Sequence, residues 1–494
     1  MKKILLVLIS IPLLYITGCE KDYLERVPTS SLAENVLLST VVGNQTLLQG
    51  IHRLTFTSYT SDHDKFGQKA VDMAVDLLGE DFYQTERGYG WFVSWYQYID
   101  HRNINSANDG WVWSYYYDLV DNANIILANI DKTTDGAIAA NVPKVQAIKA
   151  QALTYRAFSF YQLVQLYADR YVIGGANSQL GIPLVIEPTQ VGLPRSTVAD
   201  VYTQINTDLD AAIALFTSST ATRLNASEIN LRVAQGIKAR VALTTGQYAT
   251  AETMAVAART GFSLISTASY GYGWNKASGN PEWMWGAVLI DEQQTSYASF
   301  FSHIDPYFGG YATLGNHKLA STAIYDYMSA TDERKKTFKT IAGKPRVGMK
   351  FTGNGGFAST ASSGWTNDYL YMKSGEMYLI QAEAIARLGG RDAEAQTALF
   401  NLVSKRDPSY VKSVLTGDPL IQEILMQRRC ELWGEGFRFF DLKRLNLDLN
   451  RAGLGHTSSL WGLAGFFPAG DKNFTFLIPK QEIDSNPLMV QNPL

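Results

Sequence analysis

The sequence predicts a mainly helical, all-α fold of tetratricopeptide-like helix pairs with long irregular loops between them. Three observations carry this. Leu153, Ala157, Phe160, Val164 and Tyr167 recur at spacings of 4, 3, 4 and 3, a continuous apolar seam for a neighbouring helix. Two alanine-rich segments, around Ala239 and Ala382, each reach a glycine (Gly246, Gly389) seven residues on, and a second alanine-rich helix follows each. Helix, glycine turn, helix with small residues where backbones approach is the pattern of such hairpins. Two further stretches, about 79–108 and 261–367, are rich in Trp and Tyr and lack any long helical period.

In chain order, residues 1–18 read as a leader. Met1-Lys2-Lys3 is a basic start, and 4–16 is an apolar run too short to span a bilayer. Ile16-Thr17-Gly18-Cys19 resembles a bacterial lipobox, so Cys19 is expected to become the lipid-bearing first residue. Several acyl chains there would anchor firmly, at about 0.8 kcal/mol per buried methylene. Glu20-Lys21-Asp22 opens the mature chain in water.

Val41, Leu47, Leu48, Ile51 and Leu54 suit one packed helical face, and 68–78 reads as a helix stopping at Gly79. Helical pairs are expected over about 111–169, 198–259, 371–405 and 420–445. Pro143 sits where a helix start tolerates it, and Ser196 or Thr197 should cap the helix after Arg195. Loops as long as 261–367 are usually functional.

Composition excludes some functions. The 494 residues are 46% hydrophobic with a net charge of -3, enough for a large core. At roughly 150 residues per domain the length alone allows two or three units. No basic excess exists to displace counterions from nucleic acid. There is no P-loop, dinucleotide fingerprint, Gly-x-Ser-x-Gly elbow or His-Glu-x-x-His. The six histidines are scattered without metal-ligand spacing, so neither metal nor cofactor is expected. Cys430 has no second mature cysteine to pair with and reads as a small buried hydrophobe.

Aromatics are the outlying feature, with 27 Tyr, 22 Phe and 10 Trp. Phe82, Tyr83, Tyr89, Trp91, Phe92, Trp95, Tyr96 and Tyr98 crowd the first irregular stretch. Trp274, Trp283, Trp285 and Tyr307 lie in the second, with Trp365 near its end. Rings in loops are poorly placed for a core, so some should be exposed. Flanked by Asp81, Arg87, Asn103 and Asn275, they would make a stacking platform with hydrogen-bonding groups at its rim, which suits a glycan.

Residues 427–444 mix three acids and five bases with Leu, Trp and three Phe. On a helix, Glu431 and Glu435 would share a face, the pair a glycosidase needs. The alternative is an ion-paired brace, with Glu431, Glu435 and Asp441 held by Arg428, Arg438 and Arg444.

Four separated stretches together resemble the SusD/RagB family of outer-membrane lipoproteins. They are the lipobox with Asp22-Tyr23-Leu24-Glu25, the helix from Ala150 through Arg156-Ala157-Phe158 to Tyr167, Arg429-Cys430-Glu431-Leu432 with Glu435-Gly436-Phe437-Arg438 and Asp441-Leu442-Lys443-Arg444, and the tail from Ile478-Pro479 through Asn486-Pro487 to Gln491-Asn492. The resemblance implies one domain over 19–494, with four tetratricopeptide-like pairs in a right-handed superhelix and the ligand site on loops. It implies a non-catalytic surface lid of a SusC-like TonB-dependent transporter, capturing oligosaccharide or, in some relatives, peptide. The readings left open are a glycan-binding lipoprotein, its peptide-binding counterpart, a surface glycosidase and a plain scaffold.

Overall fold

Local signals place the helices. The computed structural model describes residues 36–58, 62–271, 274–293, 297–352 and 366–494. The expected leader, Cys19 and Trp365 lie outside them. Helix α1 (Val41–Leu54) starts where the Thr40 hydroxyl accepts from the Gly43 amide at 3.1 Å. Helix α2 (Gln68–Leu77) is buried along its whole length. Helix α3 (Ala107–Asn129) is capped by Ser106, and α4 (Val142–Tyr167) carries Pro143 in its first turn. Helix α5 (Val198–Ser218) is capped by Thr197, whose hydroxyl and Asp200 form a reciprocal capping box.

The two alanine-rich hairpins form as expected. Helices α6 (Leu231–Thr244) and α7 (Tyr248–Ala258) turn at Gly246, φ 73°. Helices α8 (Ser374–Leu388) and α9 (Asp392–Val403) turn at Gly389, φ 74°. Helix α7 packs on α8 although 259–373 separate them, so the helical body is continuous across the excursion. Helices α10 (Gly417–Glu431) and α11 (Arg438–Leu445) complete the series. Helix α4 differs from the single seam its periodicity indicates: every residue from Ala150 to Tyr167 is buried. It is the central helix, with α3, α5 and α1 around it and the C-terminal tail alongside, where the Phe476 amide donates to the Leu166 carbonyl at 2.9 Å.

The long irregular stretches have structure of their own. Strand β1 (Phe82–Gln84) comes from the first, and β2 (Trp283–Ala287), β3 (Lys318–Ala320), β4 (Phe338–Ile341) and β5 (Lys344–Gly348) from the second; β6 (Tyr369–Lys373) leads into α8. Strands β2 and β6 pair antiparallel, Trp283 opposite Lys373 and Ala287 opposite Tyr369, zipping together the outgoing and returning arms of the excursion. A second sheet has the order β1-β3-β5-β4. Its antiparallel β1–β3 register, Phe82 opposite Ala320 and Gln84 opposite Lys318, joins the two aromatic stretches side by side. That junction positions the candidate site.

Candidate ligand-binding platform

Beyond β1 the chain runs out to an exposed turn, 86–90, and returns through Trp91 into a buried helical turn. Phe92 and Tyr98 bracket that turn with left-handed backbone, φ 63° and 61°, a conformation that costs a non-glycine residue on the order of 1–3 kcal/mol and collects at functional sites. Phe92 is anchored beneath, 5.0 Å from the His303 ring and 6.0 Å from Phe66, so Trp91 is set by a rigid neighbour.

Tyr311, from the excursion, is the hub. Tyr89 lies 5.3 Å from its ring centre, Tyr297 5.4 Å, His63 5.8 Å and Trp91 6.1 Å. His63 stacks on Trp91 at 5.3 Å and shares a 2.5 Å hydrogen bond with the Tyr311 hydroxyl. Buried His303 stacks under Tyr311 at 4.9 Å and bonds the His63 carbonyl at 2.8 Å; burial holds its imidazole neutral, well below the usual histidine range. Tyr89 is 69% and Tyr297 40% exposed, with Trp91 half-buried. Exposed flat faces over a fixed aromatic floor can stack on a flat apolar ligand face. Charged side chains flank these rings in the chain: Asp62 and Lys65, paired at 2.6 Å, on either side of His63, and Glu86, paired with Lys344 at 2.6 Å, with exposed Arg87 in the turn that carries Tyr89.

Of the residues the sequence singles out, Trp91 lies in this cluster and Arg87 is exposed in the turn that carries Tyr89. Trp365 is outside the described residues, the other described ones lie elsewhere, and of the loop rings, some of which the sequence expects to be exposed, Trp95, Tyr98, Trp274, Trp283 and Trp285 are buried. Trp95 is buried between His101 and Phe476, and the buried Tyr98 hydroxyl donates to the Leu78 carbonyl. Trp283 and Trp285 are buried on β2, with Trp285 edge-on to Phe158 at 5.3 Å. Trp274 is buried under the Lys373 ammonium at 4.6 Å, its indole N–H donating to the Tyr270 carbonyl at 2.7 Å. Asp81 is buried in a fork with Arg429 at 2.6 and 2.7 Å. Asn275 is buried, donating to Asn367 at 2.9 Å, while Asn103 is exposed and accepts from the Asn105 amide. Tyr307 is half-buried, its amide donating to Asp305. His63, Tyr297 and Tyr311 are platform residues not singled out. The signal for Tyr89 and Tyr311 was their glycine neighbours, Gly88 and Gly90, Gly309 and Gly310.

The carboxylates of 427–444 are drawn into buried ion pairs. Helix α10 ends at Glu431, and Gly434 and Gly436, φ 78° and 81°, turn the chain before α11. Glu431 and Glu435 therefore share no helical face. Both converge on buried Lys373. Glu431 also meets Arg406 at 3.0 Å, and Glu435 meets Lys350 at 2.5 Å. Burial alone would raise the Glu431 carboxyl, but Arg406, Lys373 and Arg334 hold it far below the usual range. Glu435 is likewise held down, by Lys350 and Lys373 against its burial. An acid catalyst needs the opposite shift. The brace reading stands with partly different partners: Asp441 has Arg428 at 2.8 Å and Arg444 at 2.7 Å, whereas Arg438 reaches Glu80.

Comparison with known proteins places this architecture. Residues 22–243 match the family model described as starch-binding, associating with outer membrane, and 262–494 match that of the SusD family. A SusD-like carbohydrate binding protein of Bacteroides vulgatus superposes with a TM-score of 0.78 at 23% identity, covering 91% of this chain and 97% of its own. A SusD superfamily protein of Bacteroides thetaiotaomicron gives 0.76 at 23% identity, covering 92% and 100%. Surface glycan-binding protein A of Bacteroides fluxus gives 0.69 at 17%, covering 91% and 98%. No curated protein matches the chain. With two family models covering nearly its whole length in order and the matching helical architecture, the chain belongs to the SusD/RagB family.

Proposed function

We propose that the protein is a cell-surface lipoprotein that binds oligosaccharide on the Tyr89–Trp91–Tyr297 platform and delivers it to a SusC-like TonB-dependent transporter as its lid. One observation carries the binding step: flat rings, exposed on one side, are locked on the other to a buried aromatic floor. The Trp91–His63–Tyr297–Tyr311 part of that surface is organised before the ligand arrives, so little ordering entropy is lost there on binding. The descriptions of structural relatives as carbohydrate- and surface glycan-binding point the same way. Capture without turnover is the expected chemistry, because the paired carboxylates of the C-terminal signature are spent on buried cations. Anchorage at Cys19, an outward-facing position on the outer membrane and the barrel partner rest on the lipobox and on family resemblance. Co-purification of a barrel from solubilised outer membranes checks the partnership.

Calorimetric titration of the intact protein against plant, host and microbial oligosaccharides and against peptides tests the ligand class. Binding within the glycan set, with no reducing ends released, is expected. Tight peptide binding with no glycan bound would transfer the platform to peptide capture.

A further inference from the structure

Behind the platform, one face of the β1–β3 ladder carries buried polar side chains with almost nothing to bond. Gln84 sits opposite Lys318 in register, so both side chains leave the sheet on the same side. Gln84 is fully buried and neither atom of its amide has a partner; buried Asn316, two residues before Lys318, is in the same condition. Lys318 is fully buried as well. Its ammonium donates once, at 3.3 Å to the Asn316 carbonyl, and among the described residues no carboxylate pairs with it. Burying an ammonium without a counter-charge is unfavourable. Burial, reinforced by Lys344, pushes the Lys318 amine down to about 7.

This cluster adjoins the rings directly. The Asn316 backbone N–H donates to the Tyr311 carbonyl at 3.1 Å, and His303, stacked beneath Tyr311, lies within the field of Lys318. The exposed turn 86–90 covers it. Gly88 has φ 51°, which favours glycine, and a Cβ there would lie a tight 3.2 Å from the Asn316 side chain, so the turn rests closely on that side-chain amide. Among the described residues the turn's side chains are tied down by one ion pair, Glu86 to Lys344, and one ring contact, Tyr89 on Tyr311. Few tertiary ties and an exposed backbone make a segment that opens cheaply.

We propose that Lys318, Gln84 and Asn316 form a charge-reading subsite of the same ligand site, which takes the carboxylate of an acidic sugar residue when the 86–90 turn lifts. The inference rests on the glycan reading of the platform. The ammonium and the amide N–H groups donate to the carboxylate, the amide oxygens accept from hydroxyls, and neighbouring sugar units stack on Trp91 and Tyr297, rings that the moving turn does not carry. A neutral sugar in the same place supplies no counter-charge to hold the proton on Lys318, whereas a carboxylate does, and that asymmetry is the source of selectivity.

The test is calorimetry on the full-length protein with paired probes: trigalacturonate, sialyllactose and a hyaluronan tetrasaccharide against xylotriose, cellotriose and mannotriose. Lys318→Met keeps the shape and removes the charge, and because it relieves an unpaired buried cation its melting temperature should not fall. The expected result is an acidic probe bound at least tenfold tighter than every neutral one, with that preference lost in Lys318→Met. Neutral probes bound as tightly, or an unchanged preference in the variant, would overturn the subsite and leave the platform reading intact; the polar cluster would then be a hydrated seam. No oligosaccharide of either kind bound would remove the platform reading, and the subsite with it.

Discussion

Single residues in the C-terminal signature act by pairing charges that cannot reach water. Asp441 is typical: burial would raise its carboxyl, but Arg428 and Arg444 bring it to about 2, against 3.8 for an unperturbed aspartate. A group with a depressed folded-state value binds fewer protons folded than unfolded. Its contribution is therefore complete above about pH 4 and disappears as the pH falls through about 2. Glu435, Glu383 and Asp81 are lowered in the same sense, against their burial, by lysines or arginines. Burial lifts Asp76 to about 7, so it titrates at higher pH and does not share this window. The melting temperature should drop steeply between about pH 4 and 2, and Asp441→Asn should flatten part of that slope while lowering stability at pH 7. Thermal unfolding across that range decides it; a variant with the wild-type slope would show that the pair contributes nothing.

Elements place these residues, and one junction fastens the sheet to the helical body. Trp433, in the turn between α10 and α11, donates its indole N–H to the Asp81 carbonyl at 3.0 Å and lies against β5. A Cβ on Gly348 would fall 1.9 Å from the Trp433 ring. Gly348→Ala must therefore displace either the strand or the indole, and a loss of about 1–3 kcal/mol is expected from overpacking alone. Urea unfolding of the variant measures it, and a loss below about 0.5 kcal/mol, the range of ordinary surface substitutions, would mean the junction is not rigid. Most helices were legible in the sequence because their signals are local: the Thr197 cap, Pro143, and the glycines at 246 and 389 lie within a turn of what they specify. Strands β2 and β6 were not. Both are buried at every position, and a strand covered on both faces loses the alternation that marks it. For the same reason the β2 tryptophans read as loop rings when they are core. Local spacing also misread 427–444, where two glycines with positive φ break what the periodicity continues.

At the scale of the whole molecule, the platform exists only because distant segments are brought together. Tyr89 and Trp91 precede the helical body, Tyr297 and Tyr311 lie in the excursion between α7 and α8, and β1–β3 pairing joins them. No window of sequence contains that information, which is why Tyr311, the hub of the cluster, was not singled out beside Trp91 and Arg87. The helical body carries the two irregular stretches, and on the proposed function these bear the recognition surface. The most direct measurement is calorimetric titration of the best-bound oligosaccharide into a Tyr89→Ala/Trp91→Ala variant. Ring stacking worth about 0.5–1.5 kcal/mol per ring, with burial of the sugar face besides, leads us to expect at least a tenfold weaker affinity at an unchanged melting temperature. Wild-type affinity in that folded variant would contradict the account.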